Sequence, residues 1–146
     1  MKHLRPLFTL PLLSISLLVT PTFAKDTGYA FVSSENDHIV TVLDGKTFAK
    51  VKDIKTSKRP RHLQFNPDKT LLYAACGEGA SIDVIDVATL EVIDKIEDVE
   101  DPEAFDFSQD GKQMFISLED DGALGILDVA SKKILKEVEI GEEPEG

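Results

Sequence analysis

The groups in this chain best suited to binding a ligand are concentrated in one short basic segment. It contains Lys58, Arg59, Pro60, Arg61 and His62. Guanidinium groups bind carboxylates in a bidentate geometry, so Arg59 and Arg61 could hold a carboxylate-bearing ligand or partner. The same groups could instead form ion pairs within the chain, with Arg61 facing Glu103. Both interpretations remain open at the level of the sequence.

The other reactive side chains form no recognisable catalytic or metal-binding pattern. The single cysteine, Cys76, ends an apolar run, so we expect a small buried residue rather than a reactive thiol. A lone cysteine also excludes an intrachain disulfide and zinc sites of the CxxC type. His38 lies in a charged turn and is expected to be solvated. The acidic stretches 97–101 and 119–121 lack the spacing of an EF-hand and are expected to be solvated loops, so we predict neither catalytic residues nor metal ligands.

The overall composition describes an acidic globular protein. Of the 146 residues, 42% are hydrophobic and 29% are charged, which argues against a disordered or collagen-like chain. The formal net charge is −11. Nucleic-acid binders concentrate positive charge, so the sequence predicts no nucleic-acid partner.

The first 24 residues have the pattern of a secretory signal peptide. Lys2 and Arg5 precede an apolar stretch at 7–19, and small residues stand just before a cleavage point after Ala24. The apolar stretch is shorter than the roughly 20 residues that span a bilayer. We therefore predict cleavage after Ala24, a periplasmic or secreted mature protein at 25–146, and no membrane association after cleavage.

The rest of the chain repeats every 42 residues. The register is carried by aspartates, prolines, aromatic residues and apolar residues: Asp44, Asp86 and Asp128; Pro60, Pro102 and Pro144; Phe31, Tyr73 and Phe115; Val42, Val84 and Ile126; Ile54, Ile96 and Val138. Each aspartate opens a turn of the form D-x-x-T/S and is expected to accept backbone N–H bonds there. A fixed period of this length indicates a repeat architecture.

Within one period the pattern predicts four short strands joined as a meander. The runs 71–76, 81–87, 91–96 and 103–107 are rich in β-branched and apolar residues and are separated by Gly, Asp and Pro. Four strands in about 42 residues is the size of one blade of a β-propeller. Strand direction alternates in a meander, so the loops between blades and the loops between the second and third strands emerge on one side, which we call the first face.

The repeats resemble the YVTN-type β-propeller family. The resemblance rests on LYAACGEGASIDVIDVATLEVIDKI and FISLEDDGALGILDVASKKILKEVEIGEEPEG. The stretches KRPRHLQFNPDKTLLYAAC, DPEAFDFSQDGKQMFISLEDD and GEEPEG are similar, more narrowly, to the exported propeller associated with PQQ-dependent alcohol catabolism. NPDK and SQDG replace the usual PDG of the turns, and GILD replaces the usual V-x-V-I-D form.

The resemblance implies an all-β propeller of four-stranded antiparallel blades, with about three present here and seven in the full-length protein. The expected units are a first blade lacking its inner strand at 28–56, complete blades at 60–98 and 102–140, and the start of another blade at 141–146. On this basis we interpret the chain as an N-terminal fragment whose ring is closed by later residues. An assembly of several short chains is the alternative.

The resemblance also implies a function. We expect an exported, non-catalytic protein that binds or scaffolds in periplasmic PQQ-dependent alcohol oxidation, with no cofactor of its own and a quinoprotein dehydrogenase or a c-type cytochrome as partner. Pro60 should begin an innermost strand, so Arg59, Arg61, His62 and Glu103 would line the rim of the central channel as a binding site. Two alternatives are a lactonase-like hydrolase and a haem-binding propeller related to the nitrite reductase haem domain, where His62 would be a candidate contact.

Overall fold

The computed structural model describes residues 27–146, and the leader predicted at 1–24 lies outside the described residues. The strands are β1 (Tyr29–Ser34), β2 (Ile39–Asp44), β3 (Lys50–Lys55), β4 (Pro60–Phe65), β5 (Leu71–Cys76), β6 (Ser81–Asp86), β7 (Glu91–Glu97), β8 (Pro102–Phe107), β9 (Gln113–Leu118), β10 (Ala123–Asp128) and β11 (Lys133–Glu139). A short 3-10 turn, Gly77–Gly79, joins β5 to β6. No helix in residues 27–146 is both long enough and apolar enough to cross a membrane.

The strands form three antiparallel sheets in which neighbours in sequence are neighbours in space. Sheet 1 has the order β1-β2-β3, sheet 2 the order β4-β5-β6-β7, and sheet 3 the order β8-β9-β10-β11. β4 contacts β8, so the innermost strands of sheets 2 and 3 converge, and it also contacts β1, which the repeat aligns with β5. These are the blades of a β-propeller, as the repeat predicts.

The sheets pack face to face through two apolar layers. Residues 42 positions apart occupy equivalent places in the two layers. Val40 and Ile54 of sheet 1 face sheet 2, and Ile82 and Ile96 of sheet 2 face sheet 3. All four side chains are buried. Burying such a side chain stabilises the fold by about 1.5–3 kcal/mol, so the spacing of 42 residues reflects one packing solution used repeatedly.

Each outermost strand carries a β-bulge at the same point of the repeat. The register shifts between Val84 and Ile85, which pair with Asp94 and Val92, and leave Ile93 as the extra residue. The corresponding shifts in sheets 1 and 3 leave Val51 and Leu135 in the same situation. All three of these apolar side chains are exposed.

The repeated aspartates hold the turns between the third and fourth strands of each blade, on the face opposite the first face. Oδ1 of Asp44 accepts hydrogen bonds from the backbone N–H of Lys46 at 3.0 Å and of Thr47 at 2.7 Å. Asp86 and Asp128 accept the equivalent backbone bonds from Thr89 and Ser131. These bonds favour the charged carboxylate, so the pKa of each of these aspartates lies below its ordinary value.

Candidate functional site

The loops of the first face are joined to one another by backbone hydrogen bonds. Thr56, after β3, donates to the carbonyl of His38 at 3.0 Å, and Gly77 donates to the carbonyl of Arg59 at 3.1 Å. Further bonds run from Val99 to Ala80, from Glu119 to Asp101, and from Ile140 and Gly141 to Gly122. The first face is therefore one continuous hydrogen-bonded surface across the three sheets.

Arg59 bridges sheets 1 and 2 at this surface. It lies just before β4 in a left-handed backbone conformation with φ of 60°. Its backbone N–H donates to Nδ1 of His38 at 3.0 Å, and its Nε donates to Oε2 of Glu35 at 3.2 Å. His38 is thus half-buried and accepts a hydrogen bond, so the expectation that it is simply solvated was wrong.

Arg61 lies at the centre of a cluster of charged groups from all three sheets. Its side chain is only 8% exposed, and its guanidinium is ion-paired with Glu103 and Glu119. It also lies 3.9 Å from Oδ1 of Asp101 and 4.0 Å from Oε2 of Glu35. The ion pair with Glu103 is the arrangement that the sequence suggested as the alternative to ligand binding.

The acidic stretches at the first face are therefore only partly solvated, contrary to expectation. Asp101 and Glu119, predicted to lie in solvated loops, turn their carboxylates towards Arg61. The sequence could not separate them from their exposed neighbours, because the partner they share lies 40 and 58 positions earlier. We call Glu35, Arg59, Arg61, Asp101, Glu103 and Glu119 the rim cluster.

The rim cluster contains more negative than positive charge. Burial raises the pKa of Asp101, and the nearby Glu119 and Asp120 carboxylates raise it further, against the opposing effect of Arg61. Oδ1 of Asp101 is buried and accepts no hydrogen bond, because the Arg61 guanidinium beside it is 3.9 Å away and is paired with Glu103 and Glu119. One guanidinium therefore does not fully compensate the carboxylates around it.

Gly77 makes room for this arrangement. The 42-residue repeat places it in line with Glu35 and Glu119, the two acidic tip residues that contact Arg61. A Cβ atom built on Gly77 would collide with Oδ1 of Asp101. The absence of a side chain at Gly77 allows Asp101 to reach Arg61. In the sequence, the only sign of this role is that Gly replaces the Glu found at the equivalent positions of the other two repeats.

His62 lies one residue further along β4 and faces sheet 3. Its ring packs edge-to-face on Phe105, with centroids 5.0 Å apart, and its Nε2 is buried without a hydrogen-bond partner. Burial lowers the pKa of His62, which favours the neutral imidazole. The residue borders a cavity of about 420 Å³ whose other walls include Phe115 and Leu124.

A second, acidic cavity opens on the first face of sheet 3. Its volume is about 450 Å³, and it lies between the tip at 119–122 and the segment at 139–143. The acidic residues that line it are Glu119, Asp120, Asp121, Glu139, Glu142 and Glu143. Such a surface attracts cationic groups.

The other residues that the sequence pattern singled out, three prolines and one cysteine, are explained by their places in the fold. Pro60 and Pro102 begin β4 and β8 and are buried, whereas Pro144 is half-buried in the segment after β11. Cys76 is fully buried, as expected, and burial raises the pKa of its thiol to about 12. At neutral pH the side chain is therefore a protonated thiol, which is a poor nucleophile. Within residues 27–146, no group of three or more His, Cys, Asp or Glu is arranged to hold a metal ion.

Sequence reasoning missed the buried carboxylate of Asp83. This residue of β6 is 1% exposed. Its Oδ2 accepts a hydrogen bond from the backbone N–H of Ser57 at 2.6 Å, and its Oδ1 accepts one from the Ser57 hydroxyl at 2.8 Å. Asp83 thereby attaches the loop between sheets 1 and 2 to the centre of sheet 2. The repeat gave a signal, because Thr41 and Gly125 occupy the equivalent positions and only sheet 2 has a carboxylate there.

Comparison with known proteins supports the architecture. A family model described as YNCE-like beta-propeller matches residues 75–146. No curated protein matches the chain at a significant level.

Solved structures match in large number, and two illustrate the similarity. Hydrazine synthase from Kuenenia stuttgartiensis is 21% identical with a TM-score of 0.72, over 81% of this chain and 34% of that one. The dihydro-heme d1 dehydrogenase NirN, in complex with DHE, is 20% identical with a TM-score of 0.61, over 73% of this chain and 24% of that one. The chain thus spans about a third and a quarter of these two proteins, and at such identities the likeness concerns the fold. Together with the three repeated antiparallel sheets, these matches show that the chain has the β-propeller fold.

Proposed function

We propose that this chain is part of an exported, non-catalytic β-propeller that binds a partner through its first face in periplasmic PQQ-dependent alcohol oxidation. The partner classes are a quinoprotein dehydrogenase and a c-type cytochrome. The association with PQQ-dependent oxidation rests on the resemblance of the three segments quoted above, and the binding role rests on the surface of the first face.

The observation that carries the binding role is the acidic cavity of about 450 Å³ on sheet 3. Its walls are a strand-joining tip and the segment after β11, which are tied together where Ile140 and Gly141 donate to the carbonyl of Gly122. A concave surface on a hydrogen-bonded frame can bind without first having to order its loops, which lowers the entropic cost of association. Its charge selects a partner that presents Lys or Arg.

The two arginines of the first face are less available to a ligand than the carboxylates of the acidic cavity. Arg61 is enclosed by carboxylates of its own chain, and Arg59 is paired with Glu35. Binding of an anion at this rim, the other role considered for these residues, would have to displace Glu35 or Glu119 from them. The acidic cavity is therefore the accessible charged surface on which the proposal rests, and it favours a cationic partner.

The test is a binding measurement between the intact exported protein and a purified partner of each class from the same organism. A first-face contact predicts that affinity falls as salt rises, because exposed charges are screened. The double variant Glu142→Gln, Glu143→Gln should weaken binding several-fold, mainly through the association rate. The control is Glu137→Gln, which removes a negative charge from the outer strand of the same sheet. Equal affinity of the cavity variant and the wild type for every partner would refute the proposal.

Export has its own test. The protein recovered from the periplasm should begin at Lys25, which N-terminal sequencing measures directly. A mature protein that retains the first 24 residues would contradict this part of the proposal.

Haem binding is the second candidate, and His62 favours it. A buried imidazole nitrogen without a partner, beside a cavity of about 420 Å³ with largely apolar walls, has the chemistry of an axial haem ligand in an apolar pocket. One structural relative is also named as a dihydro-heme d1 dehydrogenase. Titration of the intact protein with haem should then produce a visible absorption band that is lost in His62→Ala and kept in His38→Ala. No band in the wild type would exclude this candidate.

A further inference from the structure

The rim cluster brings ionisable groups from three sheets to one guanidinium. Sheet 1 contributes Glu35, and the segment entering sheet 2 contributes Arg59 and Arg61. Sheet 3 and the loop before it contribute Asp101, Glu103 and Glu119, with Asp120 close by. The two arginines thus face four carboxylates of the cluster, and the excess of negative charge is concentrated on the side of sheet 3.

Asp101 is held in this position by its backbone. Its φ of 31° lies in the left-handed region, and its carbonyl accepts the N–H of Glu119 at 3.2 Å. The side chain is directed past Gly77 towards Arg61, where Oδ1 is buried and has no hydrogen-bond donor. A carboxylate in such a place is stabilised by binding a proton, because the protonated form needs no counter-charge and can donate a hydrogen bond.

We propose that the rim cluster is a pH-sensitive contact, in which a proton taken up at Asp101 fastens the loop between β7 and β8 to the tip between β9 and β10. When this proton is present, the negative charges of Asp101 and Glu119 no longer repel each other. When it is lost, the loop at 98–101 is held less firmly. The proposal is independent of the proposed function, although this loop belongs to the same face.

The direction of the pH dependence follows from the sign of the shift. The pKa of Asp101 is raised in the folded protein, chiefly by burial and further by Glu119 and Asp120. The contribution of the group to stability is therefore greatest below the pKa of an unfolded aspartate, about 3.9, and is lost as pH rises through the folded value. This is opposite to the turn aspartates, which lose their contribution as pH falls.

The experiment compares Asp101→Asn with the wild type in the intact protein from about pH 3 to pH 7. Asparagine imitates the protonated carboxyl and is permanently neutral. The control is Asp98→Asn in the same loop, since Asp98 is exposed and also has a left-handed φ, of 59°. The control therefore corrects for the ease with which asparagine adopts this conformation.

Two quantities are measured, the urea midpoint of unfolding and the exchange protection of the Glu119 amide. At pH 7, Asp101→Asn should have the higher midpoint and slower exchange of that amide. In the wild type the protection of that amide should fall, relative to Asp101→Asn, as pH rises through the folded pKa of Asp101. Both differences should shrink towards zero at about pH 3, where Asp101 of the wild type is protonated as well.

Three results would overturn the proposal. Asp101→Asn could be less stable than the wild type at pH 7, which would make Asp101 a favourable ion-pair partner of Arg61. Asp98→Asn could reproduce the effect, which would assign it to backbone conformation.

If Asp101→Asn does not fold, the carboxyl carbon of Asp101 is titrated by NMR in the wild type. A pKa above the ordinary aspartate value supports the proposal, and a value at or below it refutes it.

Discussion

The buried carboxylate of Asp83 should be a major contributor to the contact between sheets 1 and 2. It receives two hydrogen bonds from Ser57, at 2.6 and 2.8 Å, and the ammonium of Lys95 lies 3.9 Å from its Oδ1. The perturbation to make is Asp83→Ala, with Asp83→Asn as the conservative variant and Ser57→Ala as the partner variant.

The expected magnitude follows from the bonds that are lost. A hydrogen bond to a charged group contributes about 1.5–3 kcal/mol, and a buried N–H left without an acceptor costs about 1–3 kcal/mol. Asp83→Ala loses both bonds, together about 3–6 kcal/mol, but the half-buried Ser57 groups can bond to water instead, so we expect a loss of about 3–5 kcal/mol. Asp83→Asn keeps the shape but replaces charged by neutral bonds, for an expected loss of about 2 kcal/mol. Ser57→Ala removes only the hydroxyl bond and should cost about 1.5–2 kcal/mol.

The assay is urea unfolding of the intact protein, with each free energy taken from the midpoint and slope. In the double variant Ser57→Ala, Asp83→Ala, the hydroxyl bond is lost only once, so the effects should fall short of additivity by about 1–2 kcal/mol. Asp121→Ala, at an exposed position of the first face, should change stability by less than about 0.5 kcal/mol. A cost below about 1 kcal/mol for Asp83→Ala, or strict additivity with Ser57→Ala, would refute this account.

Three further predictions concern packing, pH and the thiol. Ile85→Ala, at a position fully buried between sheets 1 and 2, should lose about 2–5 kcal/mol in urea unfolding, whereas Ile93→Ala, 57% exposed at the bulge, should lose less than about 1 kcal/mol. Similar losses at both sites would contradict the assignment of the core. The backbone bond from Thr89 lowers the pKa of Asp86, so the stability gap between wild type and Asp86→Ala should be present at pH 7 and close as pH falls below about 4. A stability gap that widens as pH falls would contradict a lowered pKa for Asp86 in the folded protein. Cys76 should not react with a thiol reagent in the folded protein at pH 8 and should react fully in urea, and rapid labelling of the native protein would disprove its burial.

The sheets could be predicted closely because the repeat supplies three aligned samples of one pattern. The run predicted at 71–76 is β5, and the run predicted at 91–96 is β7 with one residue added. Apolar residues must recur wherever neighbouring sheets pack against each other. The length of one blade is therefore visible in the sequence as the spacing of these residues. Turn residues at fixed offsets then locate the ends of the strands.

The rim cluster could be predicted only in part, because a repeat aligns backbone positions and says little about which side chains meet. The ion pair of Arg61 with Glu103 was among the alternatives, since both residues occupy the same repeat position in neighbouring sheets. The contacts with Glu35 and Asp101 depend on loop conformation and on the space left by Gly77. Asp83 escaped notice because, in an alternating strand, an acidic residue is normally taken to face solvent.

The charge pattern around the rim connects the fold to the proposed partner. Arg61, Glu103 and Glu145 occupy the same position in successive repeats. Neighbouring repeats therefore have opposite charges at equivalent positions on the first face. Because the arginine is enclosed, its positive charge is used inside the protein to hold neighbouring sheets together. The carboxylates it does not reach lie towards the outer part of sheet 3, where the acidic cavity opens. The rim therefore has more carboxylates than guanidinium groups. This excess of negative charge raises the pKa of Asp101, and it also provides the charge with which the acidic cavity would attract a cationic partner.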